Sequence, residues 1–563
     1  MQYKNLLFTL SILCSIKVFS QGLNFNSVIQ LGGKANDNAY SITTDVYGNI
    51  YVVGALNDTT DLDPGPAEFT LCPRWYGLYI AKYTGNGNFL WAKKIEGGGY
   101  GIICNAISSG KSGDIYLTGS FNGSVDFDPG PGEHYEGYPG YGFTYILKLG
   151  SNGEFRWAHA LYPDESSPGN AIEIDNDENV LIGGMVLDAV DFDSGPGWAV
   201  LPEYGNGDAF VLKLNKDGEF VWAKRFGSAY GDAVESIATD SEGNVYSTGW
   251  FSADMNMSDN GDGYNLSSML GWNVFVCKHS RDGKLCWARS FPGYGGYDMG
   301  FGIALDENRN LYIAGTFQGY CDFDPSKEKY ELQATGYSDA FVCKLDNDGN
   351  FVWAVKGVCN GSMTARTITY NNGLLFVTGE YSGSALYDEV SGSYKINSND
   401  QDAFVWALDE TGKTKWTEGF GNFGIDGGNE IVADESGNVW VCGYFQDFVD
   451  FDPTRADHTL YSNGGFDGFL LKMNYDVTGI KNHKPEAQIK IYPNPAKQLI
   501  YVDCIDLSSS TKAVIYDESG KAVFTEKLEK DHSEFDLSRL KNGVYFLKTD
   551  EGEKSRMIKV IRE

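Results

Sequence analysis

The chain has 563 residues and a formal charge of −32 at neutral pH, with 14 % aromatic residues, 70 glycines and 16 prolines. That length excludes a single small core, and the glycine and aromatic content favours short strands joined by tight turns over helices or disorder. The acidic balance disfavours nucleic acid and anionic membrane surfaces as partners, because binding either depends on basic patches.

Residues 1–20, MQYKNLLFTLSILCSIKVFS, combine a basic start at Lys4, an apolar run from Leu6 to Cys14, and compact residues Val18 and Ser20 before Gln21. This is the pattern of a secretory signal peptide cleaved after Ser20; the run is too short to span a bilayer, and no later segment is long and apolar enough to do so. The signal carries +2 and residues 481–563 carry +1, which leaves −35 on residues 21–480. Nine cysteines follow the signal without a C-x-x-C pair or a His/Cys cluster, and Cys277 and Cys343 occupy equivalent repeat positions, as small apolar core residues would.

One motif recurs seven times along residues 21–476: YIAKY at Tyr79, YILKL at Tyr145, FVLKL at Phe210, FVCKH at Phe275, FVCKL at Phe341, FVWAL at Phe404 and FLLKM at Phe469, spaced by 63 to 66 residues. Six copies continue into a glycine turn (Gly87, Gly153, Gly218, Gly283, Gly349, Gly412) and a tryptophan (Trp91, Trp157, Trp222, Trp287, Trp353, Trp416), read as packing between repeats because it recurs at one register. Upstream lies a second hairpin, as in TDVYGNIYVVG from Thr44 and TDSEGNVYSTG from Thr239. Two hairpins per period give four strands, and four-stranded sheets in tandem bury both faces by stacking radially in a β-propeller. The last repeat stops near Asn474, while LNFNSVIQLGG from Leu23 aligns with the fourth-strand segment EFVWAKRFG, Phe25 matching Phe220. The N-terminal strand is therefore expected to complete the last blade and close a seven-bladed ring without free edges.

Between the hairpins five repeats carry an acidic turn, with Asp61 and Asp63, Asp126 and Asp128, Asp191 and Asp193, Asp322 and Asp324, and Asp450 and Asp452; the fourth and sixth repeats lack it. Residues two apart on a strand share a side, so each pair with nearby turn carbonyls is a candidate Ca²⁺ site. The competing reading has the first Asp capping the turn through its own backbone and the second pairing with a nearby basic residue, for which the strand lysine (Lys82, Lys148, Lys213, Lys278, Lys344, Lys472) is the candidate. It is preferred, because no third and fourth acidic ligand recurs. No phosphate loop or nucleophile elbow is present, and no catalytic residue is singled out.

The repeat resembles the SBBP-like seven-bladed propeller repeats of bacterial surface and secreted proteins. After a polar linker at 477–488, residues 489–563 carry Tyr492-Pro493-Asn494-Pro495, the stretch Leu540 to Phe546 containing Asn542, Gly543 and Tyr545, and a terminal K-V-I-R. They resemble the type A C-terminal sorting domain of the type IX secretion system of Bacteroidetes-like bacteria. Independently of that likeness, alternating strands with turns at 517–520 and 541–543 predict a small β-sandwich. The resemblance implies recognition by the type IX machinery, export across the outer membrane, and surface attachment or release. Three functions remain open: a non-catalytic scaffold binding an extracellular glycan or protein at one mouth of the ring, using loop aromatics such as Trp75, Tyr76, Tyr138 and Trp198; a polysaccharide hydrolase or lyase with carboxylates at that mouth; and a structural surface component.

Overall fold

The computed structural model describes residues 23–475, apart from 98–100, 140–141, 163–167, 258–263, 269, 389–392, 435 and 454–456, and residues 489–562, apart from 493–495, 505–511, 518–520, 528–530 and 552–553. The signal-peptide and linker expectations fall outside the described residues. Two compact units separate at Val477 and Thr478.

In the first unit, four-stranded antiparallel arrangements succeed one another along the chain, here numbered sheets one to seven; a short strand adds to the fourth, and the fifth and sixth are joined where Val358 and Cys359 pair with Leu386 and Ala385. Their first strands are Ala39–Thr44, Ile102–Ser109, Gly169–Ile174, Asp232–Thr239, Met299–Leu305, Met363–Asn371 and Gly427–Ala433. The first two strands of a sheet meet at a turn that an aspartate builds: Asp45 Oδ1 accepts from the backbone N–H of Tyr47 and of Asn49, both at 2.9 Å, and Asp175, Asp240, Asp306 and Asp434 repeat the arrangement. Sheet seven takes its fourth strand from the start of the chain. Asn24–Leu31 pairs antiparallel with Thr459–Asn474, and Phe25 faces Met473 as Phe220 faces Leu214.

Sheets adhere through the recurrent tryptophans. Trp222 Nε1 donates to Arg281 O at 2.9 Å, and Trp91, Trp157, Trp287 and Trp353 donate likewise to Ser151, Lys216, Asn347 and Glu410. Each acceptor lies in the turn between the third and fourth strands of the following sheet. Each ring also lies on the glycine of that turn: a Cβ on Gly283, at φ +80°, would sit 2.8 Å from the Trp222 ring. Glycine there supplies both the left-handed backbone and the flat seat. Trp416 meets no such turn, because the third and fourth strands of sheet seven come from opposite ends of the chain. The corresponding turn of sheet one, at Gly87, is covered by Ile29 and Trp440, and Lys472 Nζ donates to Gly85 O at 2.6 Å.

The second unit has two sheets. One orders Ile489–Tyr492, Leu499–Cys504 and Asp531–Asp536; the other orders Ala522–Lys527, Lys512–Asp517, Gly543–Glu551 and Lys554–Arg562. Ile500 and Phe535 from one sheet and Ile515, Leu547 and Val560 from the other share a buried cluster. Among the described residues no helix is long and apolar enough to cross a membrane.

Because Trp222 fills the seam between sheets three and four with 9 % exposure, Trp222→Ala is expected to cost about 3–5 kcal/mol. The lowered urea midpoint or melting temperature of the purified first unit within the whole protein checks this, and an unchanged midpoint would remove the tryptophan from the adhesion between sheets.

Candidate functional site

The first strands of all seven sheets line one cavity of about 510 Å³. In every one of them the pairing with the second strand slips by one residue at the same place, between Ala39 and Ser41, Cys104 and Ala106, Gly169 and Ala171, Val234 and Ser236, Gly300 and Gly302, Ala365 and Thr367, and Gly428 and Glu430. These are β-bulges, which re-aim the extra residue. The glycine that ends each second-strand motif makes the bulge feasible: a Cβ on Gly249 would lie 1.9 Å from Ala233 O, and on Gly379 1.9 Å from Thr364 O.

The bulged residues are Tyr40, Asn105, Asn170, Glu235, Phe301, Arg366 and Asn429, and all seven line the cavity. Three are staples. Asn105 Nδ2 donates to Gly169 O at 3.0 Å, Asn170 Nδ2 to Val234 O at 3.1 Å and Asn429 Nδ2 to Ala39 O at 2.9 Å, each reaching the first strand of the next sheet. Sheets one and four to six break this pattern with a phenol, a carboxylate, a phenyl ring and a guanidinium. Glu235 accepts from Trp250 Nε1 at 2.8 Å, and Arg366 grips Glu380 through two bonds of 2.6 and 2.9 Å. The Glu380 charge raises the Arg366 pKa, so this cation stays charged.

Three glutamates in the cavity wall hold protons unusually firmly. Burial pushes the Glu235 carboxyl up to about 7 against the opposing pull of Trp250 and Arg366. Burial does the same to Glu430, also to about 7, although it accepts from the Ser41 hydroxyl and from Ile42 N, and to Glu173, to about 7, despite the Ile174 N–H and Ser108. Carboxyls near neutrality can donate as well as accept hydrogen bonds and are matched to proton transfer.

The acidic turns do something different. In each, Oδ1 of the first Asp accepts from the N–H two residues on and from a second N–H eight residues on: Asp126 from Asp128 at 3.1 Å and His134 at 2.7 Å, and Asp61, Asp191, Asp322 and Asp450 in the same way. The second Asp also caps backbone: Asp63, Asp128, Asp193 and Asp324 accept from Gly65, Gly130, Gly195 and Ser326, while Asp452 lies 3.3 Å from the His458 ring. The expected pairing of the second Asp with the strand lysine is corrected. Lys82, Lys148, Lys213 and Lys344 instead reach Asp45, Asp114, Asp175 and Asp306, in the turn joining the first two strands, at 2.8 to 3.6 Å; Lys278 donates to Asn347 and Lys472 to Gly85 in the following sheet. Among the described residues no group of three or more His, Cys, Asp or Glu is placed to hold a metal ion.

Of the loop aromatics, Trp75, Tyr76 and Trp198 are exposed at 66 %, 64 % and 81 %, and Tyr138 stacks on Tyr162 and meets Phe143 edge-on. Cys277 and Cys343 are buried and free of disulfides. In the second unit Asn542 and Gly543 are exposed, whereas Tyr545 is buried with its hydroxyl donating to Lys541 O at 2.8 Å. Tyr492 ends a strand, and Pro493, Asn494 and Pro495 lie outside the described residues. The cavity residues were not singled out in the sequence, although their signal is there: one varied position two residues before the Ile common to Ile42, Ile107, Ile172, Ile237, Ile303, Ile368 and Ile431.

Residues 490–563 match the secretion system C-terminal sorting domain, and residues 221–250 match the β-propeller repeat. The chain carries a β-propeller repeat and a C-terminal sorting domain of the type IX secretion system. That domain marks it for the type IX machinery and for export to the cell surface or the extracellular space. The WD repeat-containing protein L264 of Acanthamoeba polyphaga mimivirus is 28 % identical over 155 residues, which are 26 % of this chain and 11 % of that protein's length. Among solved structures, Sqt1 from Chaetomium thermophilum aligns at TM-score 0.38 and 10 % identity over 81 % of this chain and 100 % of its own. PorZ, a surface component of the type IX system of Porphyromonas gingivalis, aligns at TM-score 0.17 and 11 % identity over 95 % and 100 %.

Two outcomes follow from the carboxyls. Burial also raises Asp37 to about 6 and Asp232, Asp298 and Asp426 to about 7, each three residues before the bulged residue of its sheet. Such groups keep protons in the folded chain that the unfolded chain has released above about pH 4, so stability falls as pH rises through about 7. Melting scans should therefore show a higher midpoint near pH 5 than near pH 8, and a flat profile would contradict the burial of these groups. Asp126→Ala with Asp128→Ala should cost about 1–2 kcal/mol through lost backbone caps, with the same melting temperature in calcium as in chelator; a calcium-dependent rise abolished by the double variant would restore the metal reading.

Proposed function

We propose that the seven sheets are the blades of a closed seven-bladed propeller, with Asn24–Leu31 completing the last blade and the cavity running along its axis. On this reading residues 1–20 are a signal peptide, the two C-terminal sheets form a sandwich, and Tyr492 to Pro495 with Asn542, Gly543 and Tyr545 form or support the surface that the secretion machinery reads. The exported propeller is a non-catalytic binding scaffold whose ligand, an extracellular glycan or protein, engages the cavity on the side of blades four to six. One observation carries this: Glu235, Phe301 and Arg366 stand consecutively at a register whose asparagines in blades two, three and seven staple neighbouring blades together. Packing alone would favour repeating the staple; three unlike side chains on one side of a shared cavity make a site.

A second reading, a polysaccharide hydrolase or lyase, is favoured by the three glutamate carboxyls held near neutrality. The same measurement separates the two. The purified protein is applied to an array of polysaccharides and bacterial surface proteins, and bound spots are assayed for new reducing ends. Binding without cleavage, weakened at least tenfold by Arg366→Gln or Phe301→Ala, is the expected result. Cleavage abolished by Glu235→Gln would promote the enzyme, and binding indifferent to all three substitutions would place the ligand elsewhere.

A further inference from the structure

Sheets five and six each carry one parallel bridge between the start of the third strand and the approach to the next first strand, Ser338 to Ser362 and Gln401 to Ile425, and in sheet four this connection is lengthened into a strand. Tyr294–Tyr297, the sequence YGGY, adds a short parallel strand against Leu270–Trp272 at the start of the third strand. Gly271 makes this approach feasible, since a Cβ at its φ of +86° would lie 2.2 Å from Gly296 O. The result is a row of aromatic rings. Trp250 and Trp272 stack with centroids 4.0 Å apart and planes 11° from parallel, and Tyr297 meets Trp272 edge-on at 4.9 Å. Tyr297 and Tyr294 remain 52 % and 50 % exposed. Beside them is a cleft of about 320 Å³ whose walls are Trp272 and Tyr297 and whose floor is largely backbone, at Gly271, Gly295 and Gly296, with Ser252 at its side.

We propose that this cleft is a subsite for one pyranose ring of an uncharged glycan, deepening the reading of blades four to six as the ligand-binding side and resting on it. The chemistry of the cleft selects that ligand. A pyranose presents an apolar face of C–H groups that packs on an aromatic ring and an equatorial rim of hydroxyls that needs hydrogen-bonding groups. Here Trp272 and Tyr297 supply rings, and the hydroxyl of Ser252, which donates to Gly231 O, remains able to accept from a ligand. No ionised side chain lines the cleft, and the −35 charge on residues 21–480 opposes uronic acid or sulfated polymers. Trp250, stacked on Trp272, donates from Nε1 to Glu235 of the cavity wall at 2.8 Å, so the ring pair of the cleft is tied to a cavity residue. The rings are placed by stacking on each other and by the added strand rather than by the repeat, and the repeat itself does not require them.

The test is retardation of the whole exported protein in native gels containing a soluble neutral β-glucan, galactomannan or xylan, with polygalacturonate and heparin as anionic comparators. At least one neutral polymer should retard the protein. Trp272→Ala and Tyr297→Ala should each weaken retardation at least tenfold with an unchanged melting temperature, and Tyr297→Phe should keep it. Retardation untouched by the cleft variants but lost in Arg366→Gln would overturn the subsite while sparing the cavity as a ligand site. Retardation by the anionic polymers alone, by no polymer, or a demonstrated protein ligand instead, would overturn the glycan.

Discussion

A missing methyl group organises the first unit. Wherever the second strand reaches its glycine, as at Gly54, Gly119, Gly249 and Gly379, the carbonyl of the first strand occupies the place a Cβ would need, 1.9 to 2.1 Å away. That contact lets the first strand bulge, and the bulge turns one side chain per sheet into the cavity. Any larger residue at these glycines would push the first strand off the second, straighten the bulge and withdraw the cavity side chain. Fold and candidate site thus depend on the same atom being absent.

The inner register and the outer seams divide the work unequally. At the seams, the tryptophan, the turn glycine and the strand lysine repeat with little variation, because each seam must solve the same packing problem. At the bulge, adhesion needs only some of the seven positions, and asparagines provide it in three. The positions in sheets four to six are then free for other chemistry, and the sheets that lack the acidic turn, four and six, are two of those three. Loss of the acidic turn in sheets four and six, the longer Tyr294–Tyr297 strand and three of the four departures from asparagine fall in consecutive sheets, the fourth departure being Tyr40 of sheet one.

What repeats was legible in the sequence, and what does not repeat was largely hidden. The strand motifs, the hairpin turns, the tryptophan seams and the alignment of Leu23 onward with a fourth strand all follow from periodicity, since Phe25 can be superposed on Phe220 without knowing the fold. The lysine partner was misplaced because two aspartates per repeat lie within reach on paper. Only the pleat decides that Lys82 shares a face with Asp45 and Tyr51, its ammonium 4.6 Å over that ring, while the backbone of the acidic turn consumes Asp61 and Asp63. Glu235 and Arg366 were missed because a search for constancy discards the variable column in which they stand. Trp250 and Trp272 lie 22 residues apart, and nothing in the chain announces that they stack. In the C-terminal unit the motif residues were legible as a signature, yet their roles were not: Tyr545 is part of the core, while Asn542 and Gly543 face solvent.

Charge limits what the cavity can accept. Arg366 is the one cation among the described residues lining it, and its Nε–Nη2 edge is engaged by Glu380. An anionic group entering the cavity would share that guanidinium with Glu380 and would meet Glu173, Glu235 and Glu430, whose carboxyls burial already pushes toward the protonated form. Near neutral pH each of these carboxyls is partly protonated and therefore able both to give and to receive a hydrogen bond. Hydroxyl groups match that dual capacity better than carboxylates, phosphates or sulfates do, so the cavity and the aromatic cleft, built from different residues by different local rules, favour the same uncharged class of ligand.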